Sequence, residues 1–183
     1  MWQLLVIAVI VVVAVKSYNS LVRLRETGDA AWADIDVQLK RRYDLIPNMV
    51  ETVKGYASHE RETLEGVVAA RSGAMSAQGP GATAEAEGVL AGAMKSLFAL
   101  AEAYPELQAA SGFRDLQSTL SQIEQQLSEA RRHYNAVVRD FNTQAQSFPS
   151  VLIARSFGFA EREFFEVAEV EKAVPRVSFT DDG

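Results

Sequence analysis

Apolar residues divide this chain into one uninterrupted block and several periodic stripes. Residues Met1 to Val15 are apolar except for Gln3. Beyond this block, apolar residues recur every three or four positions, the spacing of one face of an α-helix. The pattern predicts an all-α protein, with an N-terminal transmembrane helix followed by an antiparallel up-and-down four-helix bundle of long helices. The clearest stripe keeps the heptad pattern of a bundle seam and comprises Phe113, Leu116, Leu120, Ile123, Leu127, Ala130, Tyr134, Val137 and Phe141.

Pro47 interrupts the first stripe, and two interpretations of it are open. The cations at residues 40–42 oppose the negative end of a helix dipole, and Pro47 disfavours a helical conformation at Ile46. Asn48, followed three residues later by Glu51, has the pattern of a new N-terminal cap. These signals favour a helical hairpin at Pro47 over the alternative, a single long helix kinked there.

The hairpin interpretation gives four helices, the first of them continuous with the anchor. Their predicted bounds are Ser17–Leu45, Asn48–Ala77, Thr83–Ala103 and a helix from about Phe113 that Pro149 ends.

This topology places residues 150–159 beside the membrane, whereas a helix continuous through Pro47 would place them far from it. The segment is apolar with one Arg, which suits either an interfacial position or a short helix that caps the bundle. Its candidate membrane-proximal residues are Val151, Leu152, Ile153, Phe157 and Phe159.

The apolar block is predicted to be an uncleaved anchor, residues 1–17. Fifteen helical residues cover about 22 Å, against about 30 Å of bilayer hydrocarbon. Snorkelling of Lys16 and an interfacial Tyr18 would close the gap. A cleaved signal peptide would need basic residues before the block and a small-x-small site after it, and neither occurs. The anchor residues are Trp2, Leu4, Leu5, Ile7, Val9, Ile10, Val13 and Lys16.

Charge and composition set the orientation and exclude several classes of function. Lys16, Arg23 and Arg25 follow the anchor and no basic side chain precedes it, so the positive-inside tendency puts the bulk of the chain in the cytoplasm. The net charge of −6 argues against a nucleic-acid partner. The absence of cysteine excludes disulfides, thiol catalysis and cysteine-based metal sites.

The chain is predicted to end in an acidic tail, residues 161–183, after a bundle at residues 18–160. The tail holds seven acidic and three basic residues. We expect a short helix near Phe164 and Phe165 and then a flexible end. An alternative for residues Val174 to Phe179 is an extended segment that adds to the sheet edge of another chain.

No catalytic or metal-ligating pattern emerges, so the sequence predicts neither an enzyme nor a cofactor. A di-iron bundle needs Glu-x-x-His on two helices, and no Glu stands three residues before His59 or His133. His59-Glu60 begins a zinc-protease motif, but Thr63 takes the place of the second His. One dense polar cluster is either a solvated helix face or a partner-binding patch, and it comprises Lys40, Arg41, Arg42, Tyr43 and Asp44.

Several sequence blocks resemble the LemA family. They are YNSLVRLRE from Tyr18, AWADIDVQLKRRYDLIPNMVETVKGYASHE from Ala31, AEAYPEL around Tyr104, and RRHYNAVVRDFNTQAQSFPSVLIARSFGF from Arg131. The resemblance implies a single-pass bacterial inner-membrane protein with a bundle of long helices and no known enzymatic activity. It also suggests a role in envelope stress, an association with membrane-bound metalloproteases, or a role in shaping magnetosome membranes.

We therefore hypothesise a non-enzymatic, membrane-anchored scaffold or adaptor that binds the lipid bilayer and associates with itself. Self-association is motivated by the glycines of the second and third helices and by the heptad seam. A membrane-bound metalloprotease is a further candidate partner. The alternative is a sensor with a ligand cavity between its helices, and an enzyme, which would need converging titratable residues, ranks third.

Overall fold

A computed structural model describes residues 1–166, and the predicted extended segment Val174 to Phe179 lies outside them. Six α-helices and no strand occur in this range, so the all-α class is confirmed. The helices are α1 (Trp2–Tyr56), α2 (Arg61–Ser76), α3 (Pro80–Glu102), α4 (Pro105–Ala109), α5 (Ser111–Gln146) and α6 (Ser150–Phe157).

Helix α1 continues without a break for 55 residues, with Pro47 in its interior. The predicted hairpin at Pro47 is therefore wrong. Proline has no N–H to donate to the carbonyl four residues earlier, which is that of Tyr43. Arg71 of α2 donates from Nε to this oxygen at 2.7 Å, so a side chain replaces the missing backbone bond. Because Ile46 before the proline and Met49 after it are also fully buried in the core, the helix is held on both sides of the proline.

The chain first reverses at residues 57–60 instead of at Pro47. Residues 58–62 are all polar and interrupt the apolar stripe, and the Glu60 N–H donates to the Ala57 carbonyl at 3.1 Å. The single predicted helix Asn48–Ala77 is thus divided between the end of α1 and α2. Gly79 then starts α3 from a φ of 82°, a left-handed conformation that glycine adopts without strain.

Helix α5 packs antiparallel against α1, since residue numbers fall along one helix as they rise along the other. The neighbouring pairs are Leu21 with Phe141, Trp32 with Tyr134, and Arg42 with Glu124. One large core draws buried side chains from α1 to α5. The α5 stripe is confirmed as the packing face, because each of its nine members is buried or half-buried.

Helix α6 lies alongside the first part of α1. A second, smaller cluster of buried residues joins them, formed by Leu21, Phe141, Ala145 and Ala154. The expectation that a helix continuous through Pro47 would carry residues 150–159 away from the N-terminal block is therefore wrong. The reversal at residues 57–60 replaces the one predicted at Pro47, so the chain still reverses as often as predicted. Helix α5 therefore still returns toward the N-terminal block.

Candidate functional site

The first turns of α1 form an exposed apolar surface. All seven apolar residues of the predicted anchor are exposed large hydrophobic side chains, and Lys16 after them is exposed as well. The helix contains a stretch that is long and apolar enough to cross a membrane. Contiguous exposed apolar surface of this size marks contact with a membrane or a partner. From Leu21 onward, by contrast, α1 buries a stripe of residues that recur every three or four positions.

Helix α6 packs beside this surface. The Phe157 and Phe159 rings meet the Tyr18 ring, with centroids 4.9 and 5.7 Å apart. A groove of about 330 Å³ separates α6 from the anchor, lined by Val9, Ile10, Val13, Ala14, Ser17, Phe148, Pro149, Leu152 and Ile153. The structure thus brings the predicted anchor and the predicted membrane-proximal segment together.

The apolar side chains of this segment differ in exposure. Leu152 and Phe157 are 57% and 63% exposed, whereas Val151, Ile153 and Phe159 are half-buried. Phe148 is 82% exposed and is missing from the predicted set. Its signal was present in the sequence, since it precedes Pro149 and the apolar run that follows.

Residues 160–166, which we call the strap, run back along the groove between α1 and α5. Two asparagines of α5 bind the strap backbone in the way that a neighbouring β-strand would. Asn142 accepts from the Arg162 N–H at 2.9 Å and donates to its carbonyl at 3.0 Å. Asn135 does the same with Phe165, at 2.9 and 3.1 Å. Residues 160–166 contain no helix, and the rest of the short helix expected near Phe164 lies outside the described residues.

Two strap side chains lock it against α1. Arg162 donates to the Asp29 carboxylate at 2.6 Å and to the Arg25 carbonyl at 3.1 Å. Its guanidinium lies over Gly28, where a Cβ would come within 3.3 Å of Cζ. Phe165 is buried against Trp32, with ring centroids 5.6 Å apart. The packed part of the chain therefore extends at least to the strap.

The predicted partner-binding patch divides into two groups. Lys40, Arg41 and Asp44 are exposed, and they remain a prediction. Arg42 and Tyr43 are buried, so they do not belong to a surface patch in this conformation.

Arg42 and Tyr43 belong instead to a buried polar cluster that joins three helices. Glu87 of α3 accepts hydrogen bonds from Arg42 and, at 2.6 Å, from the Tyr43 hydroxyl. Glu124 of α5 lies 2.9 Å from Arg42 Nε, although the Nε–H does not point at it and makes no hydrogen bond within the described residues. Breaking a buried pair of opposite charges is costly, because the remaining charge loses its partner away from water.

Two buried tyrosines have perturbed titration. Burial raises the pKa of the Tyr43 phenol, and the hydrogen bond to the Glu87 carboxylate raises it further. Burial also raises the pKa of Tyr134, whose hydroxyl donates to the Glu163 carbonyl at 2.9 Å. Both phenols are thus held neutral as hydrogen-bond donors. Within residues 1–166, no three His, Asp or Glu side chains come together in a way that could hold a metal ion.

Comparison with known proteins finds a matching family and several relatives. The sequence model of the LemA family matches residues 31–179. Magnetosome protein MamQ 2 of Paramagnetospirillum magneticum is 25% identical over 194 aligned residues, which cover 89% of this chain and 71% of the relative. Protein LemA of Metamycoplasma hominis is also 25% identical, over 92% of this chain and 78% of the relative.

Proposed function

Because the chain belongs to the LemA family, we propose that it is a non-enzymatic, membrane-anchored helical scaffold. The observation that carries the proposal is the continuity of α1. One helix is exposed and apolar over its first turns and forms part of the buried core from Ala31 to Val53. No linker separates the two parts, so the helical domain is attached rigidly to its anchor.

In this proposal α1, α2, α3 and α5 act as an antiparallel four-helix bundle that stands on the bacterial cytoplasmic membrane. The bulk of the chain lies on the cytoplasmic side, as Lys16, Arg23 and Arg25 favour. From Lys16 to Tyr56, α1 rises about 60 Å at 1.5 Å per residue. The scaffold therefore presents its far end well clear of the lipid headgroups.

The anchor is tested by washing membranes with alkaline carbonate, which releases peripheral proteins. We expect the full chain to stay in the membrane and a chain without residues 2–15 to be released or soluble. Recovery of the full chain in the wash, or of a mature chain that has lost its first residues, would refute the anchor. A cysteine introduced at exposed Val37 and reacted with an impermeant maleimide would report the orientation.

Self-assembly is the second part of the proposal, and the outer face of α2 and α3 supports it. A groove of about 400 Å³ there is lined only by small or apolar residues: Gly66, Ala69, Ala70, Gly73, Ala74, Ala86, Val89 and Ala93. A Cβ on Gly66 or Gly73 would meet no atom within 4 Å, so these glycines leave the surface open to close approach. We propose that a second copy of the chain packs here.

A charge placed on the rim of this groove tests the assembly. Val89→Arg should shift the particle toward monomers, measured as its mass in lipid nanodiscs. Val37→Arg is the matched control, because Val37 and Val89 are 55% and 62% exposed and Val37 lies on α1. Equal masses for the two variants would contradict the groove as an interface, and wild-type monomers would contradict self-assembly altogether.

For the cellular role we propose organisation of the bacterial envelope or quality control of membrane proteins, with the bundle as an adaptor. Membership of the LemA family and similarity to magnetosome proteins support a role at membranes. Affinity capture of the full chain from native membranes, followed by mass spectrometry, tests the role. A membrane-bound metalloprotease among the captured proteins would support quality control, whereas capture of the chain alone would favour envelope organisation.

A ligand sensor is the second candidate, favoured by an open groove of about 650 Å³ between the end of α1 and α2. Glu51, Lys54, Arg61 and Glu65 contribute charged groups to it, beside apolar Leu64 and Val68. A small molecule that co-purifies with the chain and is lost from a Lys54→Ala/Arg61→Ala variant would support this candidate over the scaffold.

A further inference from the structure

The turn between α5 and α6 lies level with the interior of the predicted anchor. Phe148, Pro149 and Leu152 line one groove together with Val9 and Val13 of α1. These two residues stand seven and three positions before Lys16, the first charged residue of the chain. At 1.5 Å per residue, the turn reaches about 5–10 Å to the apolar side of Lys16.

The sequence of this part is compatible with that depth. Residues 141–154 carry no charged side chain, between Asp140 on one side and Arg155 on the other. Residues 1–15 of α1 are likewise uncharged. The end of the first segment packs beside residues 9–14 of the second. Phe148 and Leu152 point outward from it, and so does Phe157, two residues after Arg155. Such side chains are stable on a surface when hydrocarbon covers them.

The serine hydroxyls of this part are also bonded within the protein, as hydrocarbon requires. Ser147 donates to the Thr143 carbonyl at 2.6 Å and Ser156 to the Leu152 carbonyl at 2.8 Å. Each of these bonds goes to the residue four earlier and gives the hydroxyl hydrogen a partner that does not depend on water. The third, Ser150, is buried and accepts from the Gln144 amide at 2.6 Å.

We propose that the end of α5, the turn and α6 form a hairpin that inserts partway into the leaflet on the side of the bundle. Lipid acyl chains then occupy two grooves that α6 forms with α1. The second groove, of about 270 Å³, is lined by Ala14, Val15, Tyr18, Ile153 and Phe157. Both grooves open onto the anchor, so the hydrocarbon that surrounds the anchor also fills them. This inference rests on the proposed membrane anchor.

The absence of cysteine makes the test direct, because single cysteines can carry a spin label without other changes. The full chain is reconstituted in phosphatidylethanolamine–phosphatidylglycerol vesicles as Phe148→Cys, Leu152→Cys, Val13→Cys or Val37→Cys. Power saturation compares the accessibility of each label to oxygen, which partitions into hydrocarbon, and to a water-soluble nickel chelate. Val37 is the matched control for Leu152, since they are 55% and 57% exposed.

We expect labels at positions 148 and 152 to resemble the label at 13, with an oxygen-to-nickel ratio several-fold above that at 37. Ratios at 148 and 152 equal to that at 37, with the label at 13 still in lipid, would overturn the inserted hairpin and leave the anchor intact. A water-exposed label at 13 as well would overturn both. Circular dichroism of each labelled variant verifies that its helix content is unchanged.

Discussion

The bond from Arg71 to the Tyr43 carbonyl predicts that α1 tolerates Pro47 only with help from α2. Replacing Arg71 with Met keeps most of the aliphatic side chain but removes the donor. The carbonyl then loses a hydrogen bond from a charged group, which is worth about 1.5–3 kcal/mol. Arg71→Met should therefore lower the free energy of unfolding by about that amount.

The proline provides the second half of the experiment. In Pro47→Ala the new N–H donates to the Tyr43 carbonyl, so the helix supplies its own bond. The single variant should be more stable than the wild type, because proline in a helix interior costs about 3 kcal/mol relative to alanine. In this background Arg71→Met should cost less than about 1 kcal/mol, since the carbonyl keeps a partner.

Urea unfolding of the four chains in detergent micelles, followed by circular dichroism, measures this double-mutant cycle. The expected coupling is about 0.5–3 kcal/mol, whereas independent sites add within about 0.3–0.5 kcal/mol. Arg61→Met is the control on the same helix, because Arg61 is exposed and should change stability by about 0.5 kcal/mol at most. Equal costs of Arg71→Met in the two backgrounds would refute the substitution of a side chain for the backbone bond.

Three further predictions concern the buried polar groups. Glu87→Ala removes the buried, hydrogen-bonded partner of the Arg42 guanidinium and leaves it only the half-exposed Glu124. The variant should therefore cost about 3–5 kcal/mol in urea unfolding, while Arg42→Met/Glu87→Leu should restore most of the loss; a double variant as unstable as the single one would contradict this. Asn142→Ala should speed hydrogen exchange of the strap amides severalfold, with little change in the core of α3; unchanged strap exchange would argue that the Asn142 hydrogen bonds do not hold the strap in place. Because the folded chain retains the Tyr43 and Tyr134 protons after the unfolded chain loses them, the contribution of these phenols to stability should be constant below about pH 10. It should fall above that pH, by up to about 1.4 kcal/mol per pH unit for each phenol. Tyr→Phe variants should flatten this alkaline decline in urea midpoints, and an undiminished slope in both would exclude these phenols as its cause.

The helices of this protein could be predicted from sequence where the signal is local. The α5 stripe repeats over four heptads, and each member packs inward. The uninterrupted apolar run at the N-terminus likewise predicts a helix whose whole circumference is apolar. In both cases the pattern of one segment contains the information, and no knowledge of its neighbours is required.

Prediction failed where a distant residue changes the meaning of a local signal. Pro47 has the sequence signals of a helix end, because it leaves the Tyr43 carbonyl without a backbone donor. Arg71, in a different helix, supplies that hydrogen bond, so the helix does not have to end there. Arg42 has the sequence context of a solvated cation, but Glu87 makes its burial possible. The polar run at residues 58–62 was a local signal of the true reversal, and the stronger proline signal hid it.

The strap was missed for a different reason. Asn135 and Asn142 stand seven residues apart on α5, which places them on one face of the helix. Their partners are the backbone N–H and C=O groups of Arg162 and Phe165. Nearly every residue has these groups, so the sequence does not identify the partners. A pair of asparagines that flank a buried stripe therefore could not be distinguished from ordinary surface residues.

Because α1 is one continuous helix, its two ends move together. When α1 crosses a bilayer, any change in its inclination there swings the opposite end of the molecule, because no hinge absorbs the rotation. A tilt of about 10° moves Tyr56 sideways by about 10 Å over its 60 Å reach. Membrane helices adjust their tilt to bilayer thickness, so a change in lipid thickness at the anchor would become a larger displacement at the far end of α1.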